Sequence, residues 1–335
     1  MRADLSDLLE LMRSVSDPDR YAEIASGLKV SSQGELVSHV AKLSRLLDSF
    51  FVHIFINNLN GMLKKELEEL SSALEDLHDA IVLARPQAND EVVFCLIASV
   101  LEDVEKCIER MMASKEREIE KDLKELGEAR LRLERISDAL RNIAFLGPHP
   151  SARDVLATIR RFMPDEGELG GYLIVMKIIR EFSKEKDFPK VLAELISSWF
   201  SKSKRGRGRC MRVADIRAWV ADVLKMEVAS KDVKKAVKLL IERGDVFRAR
   251  SKKGLLVFKP KEEDIETVFE LARERYRETG SGVSAQLLSQ RFNWCLEYAS
   301  AIIEELVKRG WLFPGPSQLI PGAEEYYPLP EGEEP

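Results

Sequence analysis

The chain is poor in the residues that build metal centres and in the long apolar runs that cross membranes. It has four cysteines and four histidines in 335 residues, and no two cysteines form a C-x-x-C pair with the spacing of a zinc site. No run approaches the roughly 18–20 apolar residues that a spanning helix needs. The first residues, MRADLSDLLELMRS, alternate charge with leucine instead of forming a signal-peptide core. We therefore expect no metal and a cytoplasmic protein, with peripheral contact to a membrane surface left open.

The sequence also lacks the motifs of common enzymes. The segment GELGGY at 167–172 has glycines without the G-x-G-x-x-G order, and there is no Walker lysine motif, H-E-x-x-H or G-x-S-x-G. Cys95 and Cys107 lie in a helical apolar pattern, where we expect small buried hydrophobic residues in a reducing compartment. The predicted protein is not an enzyme and holds no cofactor.

Aromatic residues make up only 7 % of the chain, whereas charged residues make up 33 % and hydrophobic residues 45 %. Abundant Lys, Arg, Glu and Leu favour long charged helices over sheets. The length and apolar content suffice for two or three domains with their own cores. We predict a mainly α protein.

Apolar residues recur every three or four positions from about residue 97 to 143, which predicts a helix of some 50 residues. Such a helix rises about 75 Å, so we expect the helix before Pro86 to be its antiparallel neighbour in a long hairpin over 50–145. Part of the stripe would be left over for further helices or for self-association, and in the leading hypothesis copies of the hairpin polymerise laterally through it. The residues of this apolar stripe are Ile97, Leu101, Val104, Ile108, Met111, Ile119, Leu123, Leu126, Leu133, Ile136 and Leu140.

The C-terminal part repeats one order of elements twice: short helices, a glycine turn and two short strands. Gly244 and Gly310 each follow an amphipathic helix and are predicted to end it in the left-handed conformation. This order predicts two winged helices in tandem. The predicted divisions are an N-terminal helical segment (1–49), a hairpin domain (50–183), a basic first winged helix (188–260), a second winged helix (261–330) and an acidic tail (331–335).

Charge is sharply partitioned along the sequence. Residues 201–261 hold 19 Lys or Arg and 6 Asp or Glu, a net of +13, whereas 64–141 carry a net of −7 and 262–335 a net of −9. Concentrated positive charge suits nucleic acid, an anionic lipid surface or an acidic protein partner, and it also occurs on solvated faces that bind nothing. All four interpretations stay open here.

The basic residues of the first winged helix form a predicted docking surface. Four lysines recur at i, i+3, i+4 and i+7 on the third helix, and others lie in the loop before the second helix and in the wing. Asn, Gln and Arg are missing from the exposed face of SKDVKKAVKLL, so binding to nucleic acid would be independent of sequence. The residues are Lys202, Lys204, Arg205, Arg207, Arg209, Arg212, Lys231, Lys234, Lys235, Lys238, Arg248, Arg250, Lys252 and Lys253.

Two stretches, LGEARLRLERISDAL (126–140) and IRRFMPDEGELGGYL (159–173), resemble the archaeal ESCRT-III family, the CdvB cell-division proteins. The resemblance covers roughly residues 50–182. It implies a non-enzymatic assembly protein of membrane remodelling or cell division, with a helical hairpin that polymerises and a winged helix that recruits partners. The acidic hairpin departs from that family, whose membrane-binding hairpin is expected to be basic.

A second segment, RFNWCLEYASAIIEELVKRGWLF (291–313), resembles the tandem winged helices of ESCRT-II subunits. That resemblance implies an adaptor that forms a defined small complex and no filaments. The leading expectation is an ESCRT-III-like assembly protein that associates with itself and with other ESCRT-like or cell-division proteins. The alternatives are the ESCRT-II-like adaptor and a DNA-binding winged-helix protein dimerised by its coiled coil.

Overall fold

The computed structural model describes residues 5–29, 31–57, 61–84, 90–113, 119–147, 150–200, 202–203, 209–249, 254–317 and 323–329. The chain divides into two compact units. The helical unit comprises 1–16 and 20–178, and the winged-helix unit comprises 17–19 and 179–335. The division falls within one helix, between Ile178 and Ile179.

Eight helices account for most of the helical unit, and the prediction of a mainly α protein is confirmed. Within the described residues, no helix combines the length and apolar character needed to cross a bilayer. The helices are α1 (Leu5–Ser14), α2 (Pro18–Gly27), α3 (Gln33–Asn57), α4 (Gly61–Leu83), α5 (Asp90–Ala113), α6 (Ile119–Phe145), α7 (Ala152–Phe162) and α8 (Gly167–Phe182).

Helices α3 and α4 form the first of two helical hairpins. They pack along their length, and only three residues separate the end of α3 from the start of α4. The amide of Gln33, at the start of α3, donates to the carbonyl oxygens of Ile81 and Ala84 at the end of α4. The two helices are therefore antiparallel.

Helices α5 and α6 form the second hairpin. Arg132 lies 3.4 Å from Asp103, and Arg110 pairs with Glu125. From the first pair to the second, the residue number rises on α5 and falls on α6, so the two helices are antiparallel. The predicted single helix of some 50 residues is therefore wrong, because its two halves end and begin separately, at Ala113 and Ile119, and pack on each other.

The two hairpins pack on each other with α4 beside α6 and α3 beside α5. Arg130 of α6 lies 3.1 Å from Glu69 of α4, and Arg141 of α6 lies 3.0 Å from Asp76 of α4. The residue number rises on both helices from the first pair to the second, so α4 and α6 are parallel. It follows that α3 and α5, which also pack together, are parallel. The helix before Pro86 is thus a parallel neighbour of α6, which corrects the predicted antiparallel pairing.

The apolar stripe lies in the interior of this four-helix arrangement. Nine of its eleven residues are at most 4 % exposed: Ile97, Leu101, Val104, Ile108, Met111, Leu126, Leu133, Ile136 and Leu140. Leu123 is half-buried, and the side chain of Ile119 lies outside the described part. Of the two expected uses of the leftover stripe, cover by a further helix is the one found, because α3 packs on α5. The expectation that the stripe drives self-association is therefore wrong.

Ion pairs hold the charged surfaces of the bundle helices together. Arg130, whose side chain is 20 % exposed, contacts Glu66 and Glu69 on α4 and Glu134 one turn along α6. Between α3 and α5, Glu105 accepts from both His39 and Lys42. Much of the charge in these helices is thereby paired within the unit.

The winged-helix unit contains six helices, one π-helical turn (Ile196–Phe200) and five short strands after α8. In chain order these are α9 (Phe188–Leu195), β1 (Cys210–Arg212), α10 (Val213–Leu224), α11 (Ser230–Arg243), β2 (Val246–Arg248), β3 (Leu255–Phe258), α12 (Glu262–Thr279), α13 (Ala285–Phe292), α14 (Leu296–Lys308), β4 (Leu312–Pro316) and β5 (Glu324–Pro328).

The two halves of this unit share one connectivity. In the first, β1 and β2 flank β3 in an antiparallel sheet of order β1-β3-β2. In the second, β4 pairs with β5 in antiparallel fashion, and a bridge from Val283 to Tyr326 takes the place of β1. Helix, strand, two helices and a strand hairpin is the winged-helix order in both halves. Gly244 (φ 77°) and Gly310 (φ 73°) have the predicted left-handed conformation.

The two winged helices share a continuous core. Val257, on β3 of the first, is fully buried in the cluster formed by Val268, Leu288 and Ile302 of the second. Within the first, Phe200 packs edge-on against Trp219. Because one strand belongs to both cores, separating the two winged helices would expose apolar surface.

Candidate docking surface

Helix α11 positions the most exposed basic residues of the first winged helix. It runs from Ser230 to Arg243, and Gly244 ends it in a left-handed turn. Its apolar side, which includes Val233 and Leu240, is buried, and the helix packs against α9. The period of 3.6 residues then places the intervening lysines on the opposite, solvated side.

These lysines, Lys231, Lys234, Lys235 and Lys238, form what we call the lysine face. All four are exposed. Lys238 lies 3.5 Å from Glu242 on the same helix, whereas within the described residues no carboxylate lies within 4.0 Å of the other three. Three adjacent positive charges on one helix side repel one another unless an anion neutralises them. The lysine face therefore suits an anionic ligand.

Other members of the predicted basic surface have different positions. Lys202, Arg212 and Arg248 are exposed, and Arg212 caps the start of α10. Six members of the prediction lie outside the described residues: Lys204, Arg205, Arg207, Arg250, Lys252 and Lys253. Among the described residues, the candidate surface therefore comprises the lysine face and these three exposed residues.

Arg209 does not belong to the solvated surface. Its side chain is 14 % exposed and lies 3.5 Å from Asp264 of the second winged helix, and its guanidinium stands 6.0 Å from the centre of the Tyr298 ring. Tyr298 donates a hydrogen bond of 2.6 Å to Asp264. The assignment of Arg209 to a docking surface is thus corrected: it joins the two winged helices.

Arg209, Lys261, Asp264 and Tyr298 form the contact between the two winged helices, which we call the junction. Burial shifts the pKa values of two of these groups. Desolvation, reinforced by the hydrogen bond to Asp264, raises the pKa of Tyr298 well above its ordinary value. Desolvation together with the nearby Arg209 charge lowers the pKa of Lys261, whose backbone N–H donates to the Tyr298 hydroxyl. These groups form a fixed polar contact, not an exposed binding site.

A disulfide also crosses the junction. Cys210 on β1 is bonded to Cys295 at the start of α14, with 6.1 Å between their Cα atoms. The carboxylate of Glu297 lies within 4.8 Å of both sulfur atoms. Cys95 and Cys107, by contrast, are not disulfide-bonded, and both are buried, as predicted.

Comparison with known families bears on the region that carries these features. Residues 161–313 match the EAP30/Vps36 family. The match includes all of the first winged helix, the junction and the helices of the second. It covers a little under half of the chain. No curated protein and no solved structure matches the sequence.

The EAP30/Vps36 match supports one of the two resemblances found in the sequence. It supports the likeness of the C-terminal part to ESCRT-II subunits and gives no support to CdvB. The segment 159–173, one of the two on which the CdvB resemblance rested, lies almost entirely inside the EAP30/Vps36 match. That motif therefore no longer favours an ESCRT-III protein.

Sequence reasoning missed the residues that join the winged helices. Asp264 and Tyr298 are ordinary helical residues in the sequence, and Cys210 and Cys295 are 85 residues apart. The tryptophan at 294, which stacks on Phe292 and meets Tyr298 edge-on, was the one signal near the junction.

Proposed function

We propose that the chain is a non-enzymatic adaptor of the ESCRT-II type, which uses its tandem winged helices to bind other ESCRT-like proteins. The observation that carries the proposal is the EAP30/Vps36 match over residues 161–313. Members of that family are non-enzymatic adaptors. The burial of nine of the eleven stripe residues supports an adaptor over a filament, because these nine leave no exposed apolar seam for a second copy.

The shared core supports treating the two winged helices as one binding module. Val257 is buried among residues of the second winged helix, and Arg209 and Cys210 add polar and covalent links. A module held in this way presents its surfaces in a fixed arrangement, which limits the entropy lost on binding.

We assign the lysine face as the contact for an acidic helix or loop of the partner protein. The four lysines span residues 231–238, about 10 Å of helix, which matches one acidic segment better than a broad lipid surface. The sequence of the second winged helix and tail has a net charge of −9, which an anionic membrane would repel. Both features favour a protein partner.

The test is complex formation by the full-length protein with ESCRT-like subunits from the same organism, measured by size-exclusion chromatography with light scattering. We expect one species of defined mass. Replacing the lysine face in K231Q/K234Q/K235Q/K238Q should weaken binding about 10- to 50-fold, because several charge contacts are lost together.

The matched control is K64Q/K65Q/K121Q/K124Q, which removes the same charge from four exposed lysines of the helical unit. Each of those lysines already has a glutamate one turn along its own helix, and we expect binding within twofold of the original. Equal losses in both variants, or filaments in negative-stain micrographs of the protein, would contradict the adaptor.

A second candidate function is sequence-independent DNA binding. The observation that favours it is the position of the lysine face on α11, the third helix of a winged helix, which in DNA-binding relatives of the helix-turn-helix class enters the major groove. It predicts binding of a 30-base-pair duplex with a steep loss of affinity as salt rises. Absence of that binding at 50 mM salt would remove this candidate.

A further inference from the structure

Cys210 and Cys295 are the only bonded cysteine pair among the described residues, and they lie at a junction between two modules. Cys210 belongs to β1 of the first winged helix, and Cys295 caps α14 of the second. Both residues are half-buried. Their Cα atoms are 6.1 Å apart, within the usual range for a disulfide.

Two groups act in opposite directions on a thiolate at Cys295: the N-terminus of α14 stabilises it, and the carboxylate of Glu297, within 4.8 Å of the sulfur, destabilises it. The Cys295 sulfur accepts a hydrogen bond of 3.3 Å from the backbone N–H of Tyr298, at the N-terminus of the 13-residue helix α14. A helix N-terminus stabilises a thiolate, which is the nucleophile in disulfide exchange. At Cys107, by comparison, burial raises the pKa of the thiol.

We propose that Cys210 and Cys295 form a reversible dithiol/disulfide site whose substrate is a small disulfide of the glutathione type. The Cys295 thiolate attacks one sulfur of the oxidised substrate, and one thiolate leaves. Cys210 then loses its proton and attacks the Cys295 sulfur, and the second thiolate leaves. Two protein thiols are oxidised, and one small disulfide is reduced to two thiols.

Closing this bond fixes the first winged helix to the second independently of any partner, so the inference goes beyond the adaptor proposal. In the reduced state the shared core and the pair of Arg209 with Asp264 still connect the modules. In the oxidised state a covalent link closes a loop of 85 residues. The disulfide therefore tightens a junction that already exists.

The test uses the full-length protein, fully reduced and then incubated with oxidised glutathione. Denaturation and labelling with a polyethylene-glycol maleimide count the free thiols, and peptide mass spectrometry identifies the bonded pair. We expect a bond between Cys210 and Cys295, and a melting temperature about 5–15 °C above that of the reduced protein. The wild-type protein serves in both states, so no variant has to fold.

The matched variants are C95S/C107S, which should oxidise like the original, and C210S or C295S, which should retain the remaining thiol as free or glutathionylated. Free thiols at 210 and 295 after oxidation would overturn the proposal. So would one Zn²⁺ ion per chain, bound by the reduced protein when zinc is added alone and lost in C210S and C295S. In that case the two sulfurs and Glu297 would be a metal site.

Discussion

Helices α6 and α11 are both rich in charge, yet they use it in opposite ways. Arg130 of α6 is paired with carboxylates on α4 and along its own helix, whereas three of the four lysines on α11 have no carboxylate partner in the described part of the chain. The density of charged residues is similar on the two helices, 12 of 27 residues on α6 and 7 of 14 on α11. Pairing, and not charge density, separates a surface that stabilises the fold from one available to a ligand.

The largest expected effect concerns the interior position of the apolar stripe. Ile136 is fully buried, while Leu131 on the same helix is 44 % exposed. We expect Ile136→Ala to lower the free energy of unfolding by about 3–4 kcal/mol, because it leaves a cavity, and Leu131→Ala to change it by less than about 0.5 kcal/mol. Urea unfolding followed by circular dichroism measures both. Equal small effects would mean that the stripe faces solvent.

An intermediate effect sharpens the comparison of charges directly. Arg130→Ala removes the partner of three glutamates, one of them with a buried oxygen, and should destabilise the helical unit by about 1–2 kcal/mol. Lys234→Ala on α11 should leave stability unchanged within about 0.5 kcal/mol. Hydrogen exchange of peptides from α4 and α6 gives a readout confined to the helical unit. A larger loss in Lys234→Ala would reverse our interpretation of the two helices.

The smallest effect is a dependence on pH at the contact between α3 and α5. Hydrogen bonds from Lys42 and then His39 lower the pKa of Glu105. A carboxyl group with a lowered pKa in the folded state stabilises fully above its ordinary pKa of about 4.3 and loses that contribution as pH falls through the lowered value. We therefore expect Glu105→Gln to be less stable than wild type at pH 6 and to approach it near pH 3, as measured by urea unfolding.

The winged helices could be predicted from the sequence because their signals are local. Gly244 and Gly310 mark where helices end, and short β-prone stretches follow at once, so the order of elements is legible without knowing what packs on what. The lysine spacing of α11 likewise fixes which residues share a side of the helix. These features depend on neighbours within four residues.

The bundle and the junction could not be predicted to the same degree, because their decisive contacts are distant in sequence. Pro86 predicts where a helix ends, but it does not predict whether the next helix packs against that helix or against another one. The stretch between Ala113 and Ile119 contains neither glycine nor proline, so the sequence gives no helix-ending signal between α5 and α6. Cys210 and Cys295 carry no spacing that reveals their pairing.

The stacked hairpins have a consequence for how the helical unit acquires its structure. Contacts inside the second hairpin join residues as close as 15 positions apart, whereas those between hairpins, such as His39 with Glu105, join residues 66 apart. Because closing a short loop costs less entropy and is faster, each hairpin can form by itself before the two meet. We therefore expect the packing of the two hairpins on each other to be slower than the formation of either hairpin.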